Sequence, residues 1–343
     1  MANKIQFRRD VGSSWVLKNP ILSDGELGLE TDSGLFKIGT GLLPWNSLPY
    51  SSGNSGTFQS ALMPNIEDPI PPDENNMRLY TSSISGRLFP KFMGPSGLST
   101  SVQPLLARNK IGYWCPSGNS NTAPGILGYT PHTAVGTVVK NVSITNLFTR
   151  MRRIGFNSAA TAGSASSTRV AVAQVSLSNG LGQGGFFKVC RWGIADTTLS
   201  PTARTFVGVS ATTTALTGVE PSTMTNSIGM GHGSADTNMF IYYGGSIAQP
   251  PIDLGPDFPC NTSNTDVYEL ALFAPPNNTG IHWQVTRLNT GHVASGFIAA
   301  TSLNVTLPSD QTLLSYHQSV RSNGSTAGVV SFDIMSDYIE TDY

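Results

Sequence analysis

Short stretches in which apolar and polar residues alternate recur from residue 133 onward, and this pattern constrains the fold more than any other feature of the chain. Such alternation is the period of a strand with one buried face. Turn sequences separate the stretches, as at Gly244–Gly245 and Pro275–Asn278. Many short strands at such spacing are typical of an antiparallel sandwich or jelly roll. The clearest apolar sets are Tyr268, Leu270 and Leu272, then Ile281, Trp283 and Val285, and finally Val330, Phe332 and Ile334, with Ser331 and Asp333 predicted to face outward.

One segment departs from the strand period. Ile144, Leu147, Met151 and Ile154 recur at helical spacing, and Ser143 before them is a good N-cap residue. We therefore predict one helix in this segment, packed on the sandwich or at its rim. The fold class expected from the whole pattern is all-β, with an antiparallel, jelly-roll-like sandwich and this single helix.

Composition agrees with short strands and tight turns and excludes several other classes. Charged residues are only 12% of the chain, whereas there are 36 glycines and 22 prolines, which does not fit a coiled coil or a helical bundle. With a net charge of −1, the chain has no excess of basic residues with which to bind nucleic acid. No stretch approaches the roughly 20 apolar residues of a membrane span, so we expect neither nucleic-acid binding nor membrane insertion. Cys115, Cys190 and Cys260 are widely spaced, and this indicates neither a disulfide framework nor a zinc site.

The first fifty residues read as a small β-module. A turn at Asp32–Gly34 separates two alternating strands, and Trp15 and Trp45 are available to complete an apolar face. The apolar positions on these strands, which we expect to form the buried face, are Leu27 and Leu29 before the turn and Phe36 and Ile38 after it, with Ile5–Arg9 as a third strand.

This module also carries a specific series of motifs in order. They are Asn19-Pro-Ile-Leu22, Gly25-Glu-Leu-Gly-Leu-Glu-Thr-Asp32, Lys37-Ile-Gly39 and Trp45-Asn-Ser-Leu-Pro-Tyr50. The series resembles the short N-terminal module of many bacteriophage fibre and receptor-binding proteins, which is named after the major tropism determinant. One position departs from that pattern, because Thr40 stands where the family usually has an acidic residue.

The resemblance implies a place for the protein and a set of partners. A protein of this kind is made in the bacterial cytoplasm and sits on the virion, at the tail or on the capsid surface. It attaches to other virion proteins through its N-terminal half, assembles as a homotrimer and contacts a glycan or protein on the host cell. We therefore expect a tail fibre or receptor-binding appendage. A capsid (head) fibre or decoration protein is the alternative, and a polysaccharide-degrading tailspike is a further one.

Changes in composition along the chain predict four regions. Residues 1–50 are the N-terminal virion-attachment β-module, and residues 51–76 are a linker rich in Pro, Ser and Gly. Ile70-Pro71-Pro72 gives this linker an extended path, because each proline ring fixes φ and removes a backbone donor. Residues 77–132 form a neck or connector, and residues 133–343 form the C-terminal β-sandwich.

No catalytic constellation stands out in the sequence, and we expect no catalytic residue, no cofactor and no metal site. There is no nucleophile elbow, phosphate loop or His-Glu-x-x-His motif. His232 and Asp236 are too few to make a coordination shell. A tailspike would need paired carboxylates, for which the distal domain offers few candidates. These are Asp196, Glu220, Asp236, Asp253, Asp257, Asp266 and Glu269.

The stretch from Gly244 to Asp266 is the candidate receptor loop. It is long, it joins two clear strands, and its prolines favour a single ordered conformation. Its polar side chains have the hydrogen-bonding groups that a sugar or a protein receptor requires. A packed connection or a subunit contact is the alternative. The candidate contact residues are Asp253, Asp257, Asn261 and Asn264.

Overall fold

The computed structural model describes residues 7–50, 62–101, 110–116, 129–133, 137–196, 200–260, 262–301 and 304–341. The chain divides into two compact units, residues 1–63 and residues 64–343. The described residues are mainly strands with two short α-helices, and neither helix is long and apolar enough to cross a membrane. The all-β fold class predicted from the sequence is confirmed.

The first unit is a three-stranded sheet with one helix. Strand β1 (Arg8–Asp10) lies parallel to β2 (Leu27–Glu30), and helix α1 (Gly12–Lys18) connects them. Strand β3 (Phe36–Ile38) then pairs antiparallel with β2. Helix α1 was not predicted, because its seven residues are too few to show a helical period.

The buried face of this sheet is the opposite of the one that alternation predicts. Gly28 and Lys37 are buried, whereas Leu27 is half-buried and Ile38 is exposed. The reason lies in Trp15 and Trp45, whose rings stack at 4.2 Å between centroids. A Cβ added at Gly28 would stand 2.5 Å from a ring carbon of Trp45. The two stacked indoles therefore pack on the face of β2 that carries Gly28, where no side chain excludes them.

Lys37 shows how a charged residue is accommodated in so small a core. Its amine donates to the Trp45 carbonyl oxygen at 2.9 Å and lies 4.3 Å from the centre of the Tyr50 ring. Burial lowers the pKa of Lys37. The Tyr50 hydroxyl in turn donates to Glu30 at 2.6 Å. This bond attaches Tyr50, the last residue of the motif series, to strand β2.

The second unit contains the sandwich and an additional small sheet. Its elements in chain order are β4 (Arg78–Ile84), β5 (Arg87–Met93), β6 (Ser99–Ser101), β7 (Lys110–Trp114), β8 (Tyr129–Thr133), β9 (Thr137–Lys140), α2 (Leu147–Arg150), β10 (Arg153–Asn157), β11 (Ala165–Val170), β12 (Phe186–Ile194), β13 (Arg204–Ser210), β14 (Ser227–His232), β15 (Phe240–Gly244), β16 (Ile252–Asp253), β17 (Tyr268–Ala274), β18 (Gly280–Arg287), β19 (His292–Ala299), β20 (Ser315–Ser322) and β21 (Ser331–Thr341).

Two antiparallel sheets enclose the main core. The large sheet has the order β19-β18-β17-β12-β21-β10-β9, with β7 also paired to β21. The second sheet has the order β16-β15-β14-β13-β20-β11-β8. The three apolar sets predicted to face inward are all buried. Ser331 and Asp333, predicted to face outward, are buried as well. Arg153 covers Asp333, to which its Nε donates at 2.8 Å, and the Ser331 amide donates to the buried Asp196.

The predicted helix is present but only one turn long. Helix α2 is capped by Asn146 rather than Ser143, and Asn146 forms a capping box with Thr149. Ile154, the last residue of the predicted helical pattern, lies in β10 and pairs with β9 and β21. Sheet pairing on both sides of β10 therefore outweighs the helical spacing in this segment.

The segment predicted as a neck also differs from expectation. Strands β7 and β8 belong to the two sandwich sheets, so the sandwich includes strands that precede residue 133. Strands β4–β6 form a small sheet that packs on the large one. Phe89 of β5 contacts Phe187 at 5.1 Å between ring centres, and Arg87 binds both carboxylate oxygens of Glu340 at 2.7 Å. Within the predicted linker, Ile66 donates its amide to Thr81 and thereby joins this small sheet.

Candidate functional site

The predicted receptor loop is not a single loop in the structure. Gly244 bridges to Ala248 in a tight turn at one end of the sandwich. The chain then forms β16, which runs back along β15, and the residues after β16 lie at the opposite end. Phe258 and Cys260 from this returning part are buried in the main core. Most of the segment is therefore structural, and its two ends lie at opposite ends of the sheet.

Of its four candidate contact residues, the structure describes three, and two of these hold local structure together. Asp253 accepts from the Asn238 side chain at 3.1 Å and from the Gly255 amide at 2.8 Å, so it stabilises a turn. Asp257 is exposed and lies 3.5 Å from His292 Nδ1. Asn264 adopts φ = 55°, and its side chain donates to the Asp196 carbonyl oxygen, which makes it a structural residue. Asn261 lies outside the described residues.

Two adjoining clefts open at the end of the sandwich opposite the residues that follow β16. Together we call them the polar cleft. Their volumes are about 440 and 300 Å³. One wall is the loop between β11 and β12, and the other is the loop between β19 and β20. Leu177, Asn179 and Asp310 line both clefts. The remaining lining residues are Gln174, Ser176, Gln183, Gly184, Gln311, Leu313 and Thr341 in the larger cleft, and Ser178, Thr279, Ala300, Asn304, Pro308 and Ser309 in the smaller one.

The first wall is held in shape by its own hydrogen bonds. The Asn179 side chain donates to Gln183 at 2.8 Å and accepts from the Leu181 amide at 2.8 Å. Gly184 has φ = 72°, and a Cβ there would stand 2.7 Å from the Leu177 carbonyl oxygen. Only glycine fits this position without strain. The amide groups of the wall are therefore oriented before any ligand arrives.

The chemistry of the polar cleft suits a neutral ligand rich in hydroxyl groups. Asp310 is the only ionisable side chain among the residues that line it. The other polar groups are amides and hydroxyls, which can both donate and accept. On the second wall Gln311 donates to Asp310 at 3.2 Å, and Leu313 adds an exposed apolar surface. A phosphate or other strong anion finds no cationic partner among these lining residues.

Among the carboxylates considered for catalysis, Glu220 and Asp236 come together around Gly233. Asp236 accepts from the Gly233 amide at 2.6 Å and from the Tyr242 hydroxyl at 2.5 Å. Glu220 accepts from Arg204 at 3.0 Å. Burial, with the hydrogen bond to Asp236, raises the pKa of Tyr242 well above its ordinary value. The two carboxylates thus stabilise a turn and already have partners.

Three other candidate carboxylates are each paired with an arginine. Asp196 is fully buried against Arg321, whose Nε lies 2.9 Å away. Asp266 pairs with Arg287 at 2.8 Å and Glu269 with Arg191 at 2.6 Å. Such pairing indicates structural roles for these three groups.

A polar cluster lies inside the main core, and sequence reasoning missed it. Lys188 of β12 and Asp337 of β21 are fully buried, and the Lys188 amine lies 2.5 Å from each carboxylate oxygen. The Tyr129 hydroxyl donates to the same carboxylate. His317 Nδ1 lies 2.9 Å from Asp337 Oδ2 and 3.5 Å from the Lys188 amine.

The pKa directions in this cluster follow from burial and from the Lys188 charge. Burial lowers the pKa of His317 to about 4, so the ring is neutral at physiological pH. Burial also raises the pKa of Tyr129 well above its ordinary value. Burial would raise the pKa of Asp337, but Lys188 and His317 outweigh it and leave that pKa below its usual value.

Ligand atoms of Cys190, His317 and Asp337 lie within 4.8 Å of one another, which is a spacing that a metal ion can use. The Lys188 ammonium, however, already occupies the position beside the Asp337 carboxylate that a cation would take. The arrangement is therefore that of an ion pair with hydrogen-bonding neighbours.

Comparison with known proteins adds one clear result. Residues 5–42 match the family described as the major tropism determinant N-terminal domain. These residues are a tropism-determinant-like module. The match covers the helix, the sheet and one of the two stacked indoles of the first unit, and it confirms the resemblance read from the motifs. A search of curated proteins gave no match.

Among solved structures, the chain is similar to distant proteins that include two lectins and a protein of unknown function. Peanut lectin is 10% identical, with 68% of this chain and 97% of the lectin covered, at a TM-score of 0.45. Lectin II from Ulex europaeus gives 10% identity, coverage of 68% and 99%, and a TM-score of 0.45. A protein of unknown function from Shewanella oneidensis gives 11% identity, coverage of 68% and 86%, and a TM-score of 0.42. At such values the similarity supports no inference about a site or a ligand.

Proposed function

We propose that this protein is a bacteriophage virion appendage that binds the host cell, most directly a tail fibre or receptor-binding protein. The observation that carries the proposal is the tropism-determinant-like module at residues 5–42. In this proposal the module attaches the protein to the virion and the sandwich contacts the host. A capsid fibre would use the same module, so imaging of virions labelled in the sandwich tests tail against capsid attachment.

The proposal includes assembly as a homotrimer. Among the described residues, the apolar core of the module consists of four buried side chains, Trp15, Leu22, Trp45 and Leu48. Small domains of this kind usually gain stability from oligomerisation, disulfides or metals. Light scattering of the purified chain is expected to give the mass of three protomers. A monomer at micromolar concentration would contradict this part of the proposal.

Within the sandwich, we assign receptor contact to the polar cleft and propose a neutral glycan as its ligand. Three features support this assignment: its oriented amides, the single carboxylate Asp310, and the apolar contact offered by Leu313. Glycan hydroxyls pair well with such planar amide and carboxylate groups. The protein is proposed to bind the glycan without cleaving it.

Two matched variants test the location of this site. Asp310→Ala removes a carboxylate from the polar cleft, and Asp257→Ala removes an exposed one at the opposite end. We expect Asp310→Ala to reduce adsorption to host cells several-fold at normal fibre occupancy, and Asp257→Ala to leave adsorption unchanged. The reverse result would return the receptor role to the segment Gly244–Asp266. Shortening of host polysaccharide by the purified protein would instead favour the tailspike alternative.

A further inference from the structure

The Lys188–Asp337 pair places an amine and a carboxylate in direct contact inside the core. Each side chain is completely buried, and the amine lies 2.5 Å from both carboxylate oxygens. Equal distances to the two oxygens are the geometry of a bidentate ion pair, so the amine must move over the face of the carboxyl group before it can attack the carbon. The strands that carry them, β12 and β21, are hydrogen-bonded neighbours, which fixes this distance.

A permanent ion pair is an expensive arrangement in this position. Removing both charges from water costs more than their attraction returns unless the geometry and the surrounding hydrogen bonds are very favourable. The Lys188 charge keeps the pKa of Asp337 low, so the ion pair is the resting form from which any reaction starts. Transfer of one proton from the Lys188 ammonium to the Asp337 carboxylate yields a neutral amine in contact with a carboxylic acid. These are the two reactants of amide formation.

We propose that Lys188 and Asp337 condense into an intramolecular isopeptide bond that joins β12 covalently to β21. The lone pair of Lys188 Nζ attacks Asp337 Cγ, and the new C–N bond forms. One carboxyl oxygen leaves as water, taking two of the three ammonium protons. The amide keeps the remaining proton and the other oxygen, so no oxidant, reductant or further reactant is needed.

Two neighbours are placed to assist this reaction. Tyr129 donates its hydroxyl to the Asp337 carboxylate and so stabilises negative charge on oxygen during the attack. His317 lies 3.5 Å from the amine and 2.9 Å from Asp337 Oδ2, within reach of both the proton to be removed and the oxygen that leaves. The low pKa of His317, about 4, keeps the ring neutral, so it can relay this proton to the leaving oxygen but does not hold it.

The site is secluded, and this also favours condensation. Water is a product of the reaction, and the four side chains are buried between the sheets, away from bulk solvent. The bond would close a covalent loop between residues 149 positions apart in the chain. The two strands would then remain joined after the sandwich unfolds.

Mass spectrometry of the denatured, full-length wild-type chain tests the proposal. We expect an intact mass lower than the sequence mass by one water molecule. Trypsin should fail to cleave after Lys188, and the peptide Val170–Arg191 should be recovered joined to the peptide that begins at Ser322. A wild-type chain of full mass that is cleaved after Lys188 overturns the proposal. Loss of water without that joined pair overturns it equally.

Variants then identify the atoms involved. Lys188→Arg keeps the positive charge but removes the reactive amine, so we expect full mass and no joined peptides. Tyr129→Phe removes only the assisting hydroxyl, and we expect the joined form to accumulate at least several-fold more slowly after refolding. Joined peptides recovered from Lys188→Arg would refute the assignment, whatever the stability of that variant.

Discussion

Replacing Trp15 by Ala should unfold the N-terminal module while leaving the sandwich folded. Trp15 is 2% exposed, stacks on Trp45, and donates its indole N–H to the Leu29 carbonyl oxygen at 3.0 Å. Truncation of a buried aromatic residue to Ala costs about 3–5 kcal/mol. At roughly 0.05–0.15 kcal/mol per residue, a module of this size is stable by only about 2–7 kcal/mol. The loss is therefore comparable with the whole stability of the module.

Limited proteolysis of the full-length chain measures this effect. In the Trp15→Ala protein, cleavage within residues 7–50 should become fast, while the fragment that contains the sandwich keeps its wild-type resistance. Val16→Ala is the matched control, because Val16 is 55% exposed and its truncation should cost less than about 0.5 kcal/mol. If the Trp15→Ala module resists protease as well as the control does, the four-residue core is not what stabilises it.

Three further predictions concern the core, the pH dependence and the linker. Arg321→Met leaves the Asp196 carboxylate buried without its partner, so urea unfolding should show a loss of about 3–5 kcal/mol; a loss below about 1 kcal/mol would contradict the role of this pair. Burial, and the nearby Arg321 charge, lower the pKa of His232 to about 3, whereas the unfolded value is about 6.5. The unfolded chain therefore takes up the proton first, and stability should fall as the pH drops from about 6.5 towards 4, with a flatter profile for His232→Asn in urea titrations. Finally, proteases other than trypsin should cut between residues 51 and 76 before they cut within residues 170–290, and the masses of the fragments will show the order of cleavage.

The sequence predicted the strands of the sandwich well because burial on one face leaves a period of two. Tyr268, Leu270 and Leu272 show this, as they all point into the core. The same pattern failed in the module. Alternation identifies two faces of a strand, but the face that is covered depends on partners from elsewhere in the chain. Trp15 and Trp45 stack against Gly28, and so they bury the face without large apolar residues.

The two sites could not be predicted for a related reason. The register of β21 against β12 shifts by one residue at Met335, so Asp337 points inward although alternation from Ile334 would place it outward. Nothing local in the sequence marks that bulge. The walls of the polar cleft come from segments around Asn179 and Asp310, which only the complete sandwich brings together.

The position of β20 and β21 has a consequence for how the protein is made. Each lies inside its sheet, β20 between β13 and β11, and β21 between β12 and β10. Both are synthesised after all of their neighbours. Until residues 315–341 leave the ribosome, each sheet exists as two halves with open hydrogen-bonding edges. The apolar faces of the two sheets therefore remain uncovered during synthesis. Folding of the sandwich should begin only when translation of this region is complete.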